Sequence, residues 1–302
     1  MGLVVLGMHR SGTSAVTRLL NLMGCNLGPD DAVAAPARDN TAGFWERLDV
    51  RRANDRLLGA LGRSWVDCLT VDLESLVSSE VKEFAWVANK VVGELDSAPP
   101  WVLKDPRFCI TLPSWRPFFS DLITVYVHRA PMASALSLRK RNGIRLALGL
   151  ALWEHYNLSA LRASTDLPRA VIAYEQLTRD PIGTAERLLQ QLVALGATGV
   201  HLPDRAALLS FVAPALDHHG AEAAAGGEPP PPESVQQLSA ALRDGKAFQD
   251  PVPELSAASA EVLRTTTAHW PGQSWITRLL RERDAQVAAL EQQLLDAQRK
   301  SK

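Results

Sequence analysis

Apolar positions along this chain fall into short continuous runs and longer stretches at helical spacing, and the two kinds alternate. Leu3 to Leu6 is a short apolar run that predicts a buried strand. It passes through Gly7-Met8-His9-Arg10-Ser11-Gly12-Thr13-Ser14 into apolar residues at helical spacing, Val16, Leu19, Leu20 and Met23. Trp101-Val102-Leu103, the β-branched run Leu122 to Val127, and Ala170 to Ala173 are three further strand candidates. Helical stretches separate them. Leu48 to Leu61 is one, and residues 72 to 96 form an amphipathic segment with Leu76, Phe84, Val87 and Val91 near one face and Asp72 at the N-cap. Residues 131 to 163 read as mainly helical with a break around Asn142-Gly143, and Asp180-Pro181 opens a helix through Leu195 that Gly196 closes. The polar stretch Gly24 to Thr41 reads as a loop. Four strand candidates separated by helices predict an α/β fold, a central parallel sheet in three layers with helices on both faces.

In such sheets ligands bind beyond the carboxyl ends of the strands. Polar residues stand at all four ends: Arg10 and Ser11, Lys104 and Asp105, His128 and Arg129, Tyr174 and Glu175. The first end has the spacing of a P-loop, G-x4-G, followed by a predicted helix N-terminus. Backbone N–H groups and the helix dipole converge on phosphate-like oxygens at such a place. Thr13 stands where a nucleotide triphosphatase places its lysine, and the cation is Arg10, inside the loop.

Composition narrows the class further. At 302 residues and 46% apolar, the chain can bury one sizeable core. A formal net charge of −1 gives no global field for nucleic acid or an anionic membrane. Three widely spaced cysteines, Cys25, Cys68 and Cys109, without a CxxC pair, read as reduced structural thiols in a cytoplasmic protein with no metal site. No apolar run reaches transmembrane length, and the N-terminus lacks the form of a signal peptide. Residues 217 to 234 are low in complexity and polyproline-bearing, and His218 and His219 within them read as solvated. The expected layout is one domain over residues 1–272 and a C-terminal helix over 273–302. Val287, Leu290, Leu294 and Ala297 in that helix fall at heptad spacing, which suits a short coiled coil and a homo-oligomer, or equally a frayed tail.

Several motifs resemble the sulfotransferases that use 3′-phosphoadenosine 5′-phosphosulfate (PAPS), over most of residues 1 to about 195. HRSGTS (His9 to Ser14) is similar to their 5′-phosphosulfate loop. HRAPMASALS (His128 to Ser137) is similar to their 3′-phosphate element, with Arg129 and Ser137 eight residues apart. KDPR (Lys104 to Arg107) recurs in the carbohydrate and tyrosyl-protein branches, and the whole set points to a bacterial, carbohydrate/Golgi-like branch. AYEQLTRDP (Ala173 to Pro181) resembles the Tyr-Glu-x-Leu…Asp-Pro segment, and Asn142 to Tyr156 is closest to bacterial members. The resemblance implies a P-loop-containing fold and transfer of a sulfuryl group from PAPS, without a metal, to an acceptor hydroxyl. The acceptor it implies is a carbohydrate, glycolipid or glycosylated natural product. It also implies donor binding by His9, Arg10, Ser11, Gly12, Thr13, Ser14, Arg129, Ser137 and Tyr174, with Tyr174 near the adenine. The family's C-terminal Arg-Lys-Gly segment is not found here, and little acceptor-binding structure is expected before the first strand.

Chemistry and the resemblance together assign the remaining roles. Arginine's fork suits phosphate oxygens. Arg10, the loop amides and Lys104 are expected to stabilise charge on the leaving phosphate, each such donor being worth roughly 3–4 kcal/mol of barrier. The resemblance implies a general base that is either a histidine or, as in Golgi-type members, a glutamate downstream of the first helix. Glu46 lies in that region beside Phe44 and Trp45 and is the expected base, with Asp105 and His128 as runners-up and His9 orienting the loop. Structural readings stand beside these: Lys104 ion-paired with Asp105, and Glu46 capping the helix that follows it. Two other functions compete, a P-loop kinase or nucleotide triphosphatase with Ser14 on Mg²⁺, and a non-catalytic nucleotide-binding scaffold.

Overall fold

The computed structural model describes residues 1–34, 43–212, 227–249 and 251–267. The C-terminal helix expected over 273–302, its boundary at 272, and residues 217–226 of the low-complexity segment lie outside the described residues. The described core belongs to one compact unit, Met1–Leu263.

Four parallel strands form the sheet: β1 (Gly2–Leu6), β2 (Trp101–Lys104), β3 (Leu122–His128) and β4 (Arg169–Ala173), in the order β2-β1-β3-β4. The first three are buried along their whole length, which is why they read as continuous apolar runs rather than alternating ones. Successive side chains still point to opposite faces. Leu3, Val5, Val125, Val127 and Ile172 pack with α1 (Thr13–Leu22), α8 (Pro181–Ala194) and the helical residues 205–212. The other face meets α4 (Phe108–Trp115) and α6 (Leu146–Ala163), where the Tyr126 hydroxyl donates to Asn157 Oδ1 at 2.6 Å. Helices α2 (Leu48–Ala60), α3 (Ser78–Asp96), α5 (Pro131–Asn142), α7 (Tyr174–Arg179) and α9 (Glu233–Arg243) complete the layers. This is the expected three-layer α/β fold.

Local chemistry explains the boundaries. Gly143 ends α5 in the left-handed region at φ 68°, so the break falls where Asn142-Gly143 predicts it. Asp180 caps α8 by accepting from Gly183 N at 3.0 Å. One cap departs from expectation. Asp72 caps only a single 3₁₀ turn, Leu73–Ser75, and α3 starts at Ser78, where Glu80 Oε2 accepts from Val77 N at 3.2 Å. Both sheet edges are covered. Asn26 pairs with the outer edge of β2, and the Gln191 side chain bonds both the N–H and C=O of Val171 on β4.

The strand order places a switch point between β1 and β3, whose connections leave toward opposite edges of the sheet. The loops after these two strands therefore share one crevice.

Candidate active site

Gly7 to Gly12 link β1 to α1. Arg10 (φ 68°) and Gly12 (φ 90°) are both left-handed, the conformation that curls a backbone so that its N–H groups face a concavity. Ser11 folds back on Met8 O through its amide (3.1 Å) and its hydroxyl (2.6 Å). Two glycines are required by close approach. A Cβ on Gly7 would lie 2.5 Å from Val127 O, and one on Gly12 would lie 2.1 Å from the Tyr174 ring. The first N–H groups of α1, from Thr13 and Ser14 onward, have no acceptor within the helix and open into this concavity.

The crevice brings the residues after β3 onto the loop itself. Arg10 Nε donates to Ser137 Oγ of α5 at 2.9 Å, across 127 residues of sequence. Arg129 NH1 donates to the Arg10 carbonyl at 3.0 Å, and its guanidinium lies 5.0 Å over the Tyr174 ring. The expected 5′ and 3′ anion elements are thus one connected cluster. Tyr174, assigned to the adenine by its motif, lies with its ring packed on Gly12.

Lys104, at the end of β2, is only 1% exposed and reaches the other side of the loop. Its Nζ donates to Ser14 Oγ at 3.2 Å and to Glu46 Oε1 at 2.5 Å. This corrects two structural readings. Lys104 does not pair with Asp105, because consecutive residues at a strand end point to opposite sides. Glu46 does not cap α2 either, since Arg47 holds the N-cap position and the Glu46 carboxylate turns to Lys104. The segment carrying Glu46 is fixed from both sides. Trp45 adopts φ 54° with Arg18 stacked 4.5 Å from its ring, Phe44 lies under Arg141 at 5.3 Å, and the Glu46 carbonyl accepts from Ala34 N at 2.7 Å.

The runner-up bases are both directed elsewhere. Asp105 is fully buried and accepts from Arg107 N at 2.8 Å and from Arg107 NH1 at 3.1 Å. Arg107 Nε also meets Asp55 Oδ1 of α2 at 2.8 Å. Burial opposes the Arg107 charge, but Asp105 and Asp55 outweigh it and the guanidinium stays firmly protonated. His128 points away from the loop, toward a separate cavity beside β4. His9 lies 4.5 Å from the Trp65 ring and 5.4 Å from Tyr156. Burial, reinforced by Arg107, Lys104, Arg141 and Arg10, holds its pKa well below 6.5, so it is a neutral ring that packs the loop.

Two groups here escape sequence reasoning. Trp65 walls the loop because Tyr156 donates to its carbonyl at 2.7 Å and His155 meets Cys68 O at 2.8 Å, contacts across roughly 90 residues that leave no local pattern. Arg107 stands in the KDPR motif, but its ion pair with Asp55 forms only with α2 alongside, which no local pattern shows. Among the described residues no group of three or more His, Cys, Asp or Glu could hold a metal ion, and no helix is long and apolar enough to cross a membrane.

No curated protein matches the sequence. Among solved structures, the chain is similar to the sulfotransferase domain of the Synechococcus PCC 7002 olefin synthase (18% identity, 90% of this chain and 96% of that chain, TM-score 0.39). It is also similar to the sulfotransferase domain of the curacin biosynthetic pathway (16%, 88% and 96%, TM-score 0.41) and to sulfotransferase STF9 from Mycobacterium avium (17%, 72% and 76%, TM-score 0.31). A family model described as "Sulfotransferase family" matches residues 2–193, which include the loop, Lys104, Arg129, Ser137 and Tyr174. With this match over more than half its length, the chain belongs to the sulfotransferase family.

Proposed function

We propose that the protein transfers a sulfuryl group from PAPS to an acceptor hydroxyl, with Glu46 as general base. One observation carries this reading: the Lys104 ammonium lies between the Glu46 carboxylate and the Ser14 hydroxyl at the first turn of α1. A base and a leaving-group cation are thereby held together beside an anion-binding loop. The residues present also fit a donor with two anionic ends, since Arg10, Arg129 and Ser137 adjoin the loop on the β3 side and Lys104 on the β2 side.

Glu46 takes the hydroxyl proton as the acceptor oxygen bonds to sulfur. Arg10, the loop amides and Lys104 stabilise the charge that develops on the phosphate oxygen as its bond to sulfur breaks. Lys104 has three N–H donors, and two are used among the described residues, which leaves one for that oxygen. The motif resemblance supports a carbohydrate, glycolipid or glycosylated natural product as acceptor. The free thiols of Cys25, Cys68 and Cys109 support action in a reducing compartment such as the cytoplasm.

A thermal melt with 3′,5′-ADP tests the donor site. At about 100 times its Kd, a ligand adds about 2.7 kcal/mol, or roughly 5–10 °C for a domain of this size. The shift should appear without Mg²⁺ and shrink in Arg129→Ala. Stabilisation by ATP and Mg²⁺ instead would favour a nucleotide triphosphatase and overturn the assignment.

A further inference from the structure

We propose that a cavity at the carboxyl ends of β3 and β4, separate from the loop, binds a small organic anion with a flat apolar body. The cavity has a volume of about 560 Å³. In register, Tyr126 and His128 of β3 stand beside Val171 and Ala173 of β4, so these side chains share one sheet face. That face is opposite to the one packed on α1 and α8. His128 therefore opens into the cavity, while Arg129, the next residue, turns to the Arg10 carbonyl. The lining of the cavity is contributed by β3, β4, α7, α9 and the turn that follows α9.

Two arginines set the ligand's charge. Arg179 of α7 and Arg243 at the end of α9 line the cavity, and neither has a carboxylate partner among the described residues. Glu175 is the acid on the wall, and its Oε1 accepts from the Ala130 amide at 2.8 Å. Positive charge thus exceeds negative charge in the lining. His128 adds a neutral polar ring, since burial lowers its pKa and Arg243 lowers it further against the opposing pull of Glu175. It makes no hydrogen bond to protein among the described residues.

Phe248 sets the ligand's shape. Its ring is held edge-on by Tyr126 at 5.3 Å and covered by the Arg169 guanidinium at 5.4 Å, and with Val171 it provides an apolar wall. An aromatic or fused-ring carboxylate, sulfonate or phosphate matches both features: its ring lies on Phe248 and its anion meets the arginine forks. The assignment does not depend on the reaction proposed above.

Titration with 1-naphthalenesulfonate, followed by its fluorescence, tests the site. One molecule should bind per chain, and binding should persist when 3′,5′-ADP is present. The Arg179→Ala/Arg243→Ala variant, altered only at exposed positions, should bind at least about tenfold more weakly, as should the neutral analogue 1-naphthalenemethanol on the parent protein. Unchanged binding in the variant, or equal binding of the neutral analogue, would overturn the anion site. Displacement by 3′,5′-ADP would overturn its separateness, and this readout needs no turnover.

Discussion

The Glu46–Lys104 pair sets the energetics of the site at the scale of single residues. With side chains 11% and 1% exposed, the two groups are charged, buried and joined at 2.5 Å. Breaking such a pair from one side leaves an uncompensated charge and costs about 3–5 kcal/mol, whereas replacing both by apolar groups is close to neutral. Glu46→Gln should therefore lower stability by a few kcal/mol and lower kcat by about 10²–10⁴. Glu46→Gln/Lys104→Met should regain most of the melting temperature and none of the rate. Recovery of turnover in the double variant would remove Glu46 from the base role. The pair joins residues 58 apart in sequence, so no local pattern announces it. Glu46 was nevertheless within reach of sequence reasoning, through the family resemblance, which implies a histidine or, in Golgi-type members, a glutamate downstream of the first helix, and through its place beside Phe44 and Trp45.

Among the elements, the decisive joint is between α2 and the end of β2. Arg107 bridges Asp105 to Asp55, and Asn54 Oδ1, one residue away on α2, accepts from Thr111 Oγ1 and Trp115 Nε1 of α4 at 2.8 Å each. The Glu46 segment leads directly into α2, so this joint fixes how Glu46 meets Lys104. Asp55 is 51% exposed, and its ion pair is worth about 1 kcal/mol or less in stability. Asp55→Asn should thus melt close to the parent yet lose several-fold in kcat, because small misplacements of reacting groups are costly. Its affinity for 3′,5′-ADP should stay the same. An equal fall in donor affinity would place the effect in the loop rather than in the joint.

For the whole molecule, three histidines shape the response to acid: His9, half-buried, and His128 and His155, both buried. Burial lowers the pKa of His9, His128 and His155 below the ordinary 6.5. Each is neutral when folded and takes up a proton more readily when unfolded. Below about pH 6.5 the unfolded chain therefore binds more protons, and stability falls as pH drops toward the folded values. The fall is at most about 1.4 kcal/mol per pH unit for each histidine. Melting temperature should decline from about pH 7 to about pH 5.5. His155→Gln, which can still donate to the Cys68 carbonyl, should show a shallower decline. A slope unchanged by that substitution would assign the acid sensitivity to other groups.

The sequence by itself determined the layers of this protein. Strands buried on both faces appear as unbroken apolar runs, glycines mark the loop and the helix ends, and a parallel sheet places its ligands at the strands' carboxyl ends. Those local rules single out the loop, Arg10, Lys104 and Arg129 as candidates. Only the tertiary structure decided what each charged side chain faces. Lys104 and Asp105 are neighbours in the chain, as are His128 and Arg129, but adjacent residues of extended backbone point to opposite sides. One member of each pair serves the loop, and the other serves Arg107 or the cavity beside β4. Pairings such as Glu46 with Lys104 and Arg10 with Ser137 depend on which strands and helices become neighbours, and that is decided by packing over the whole chain.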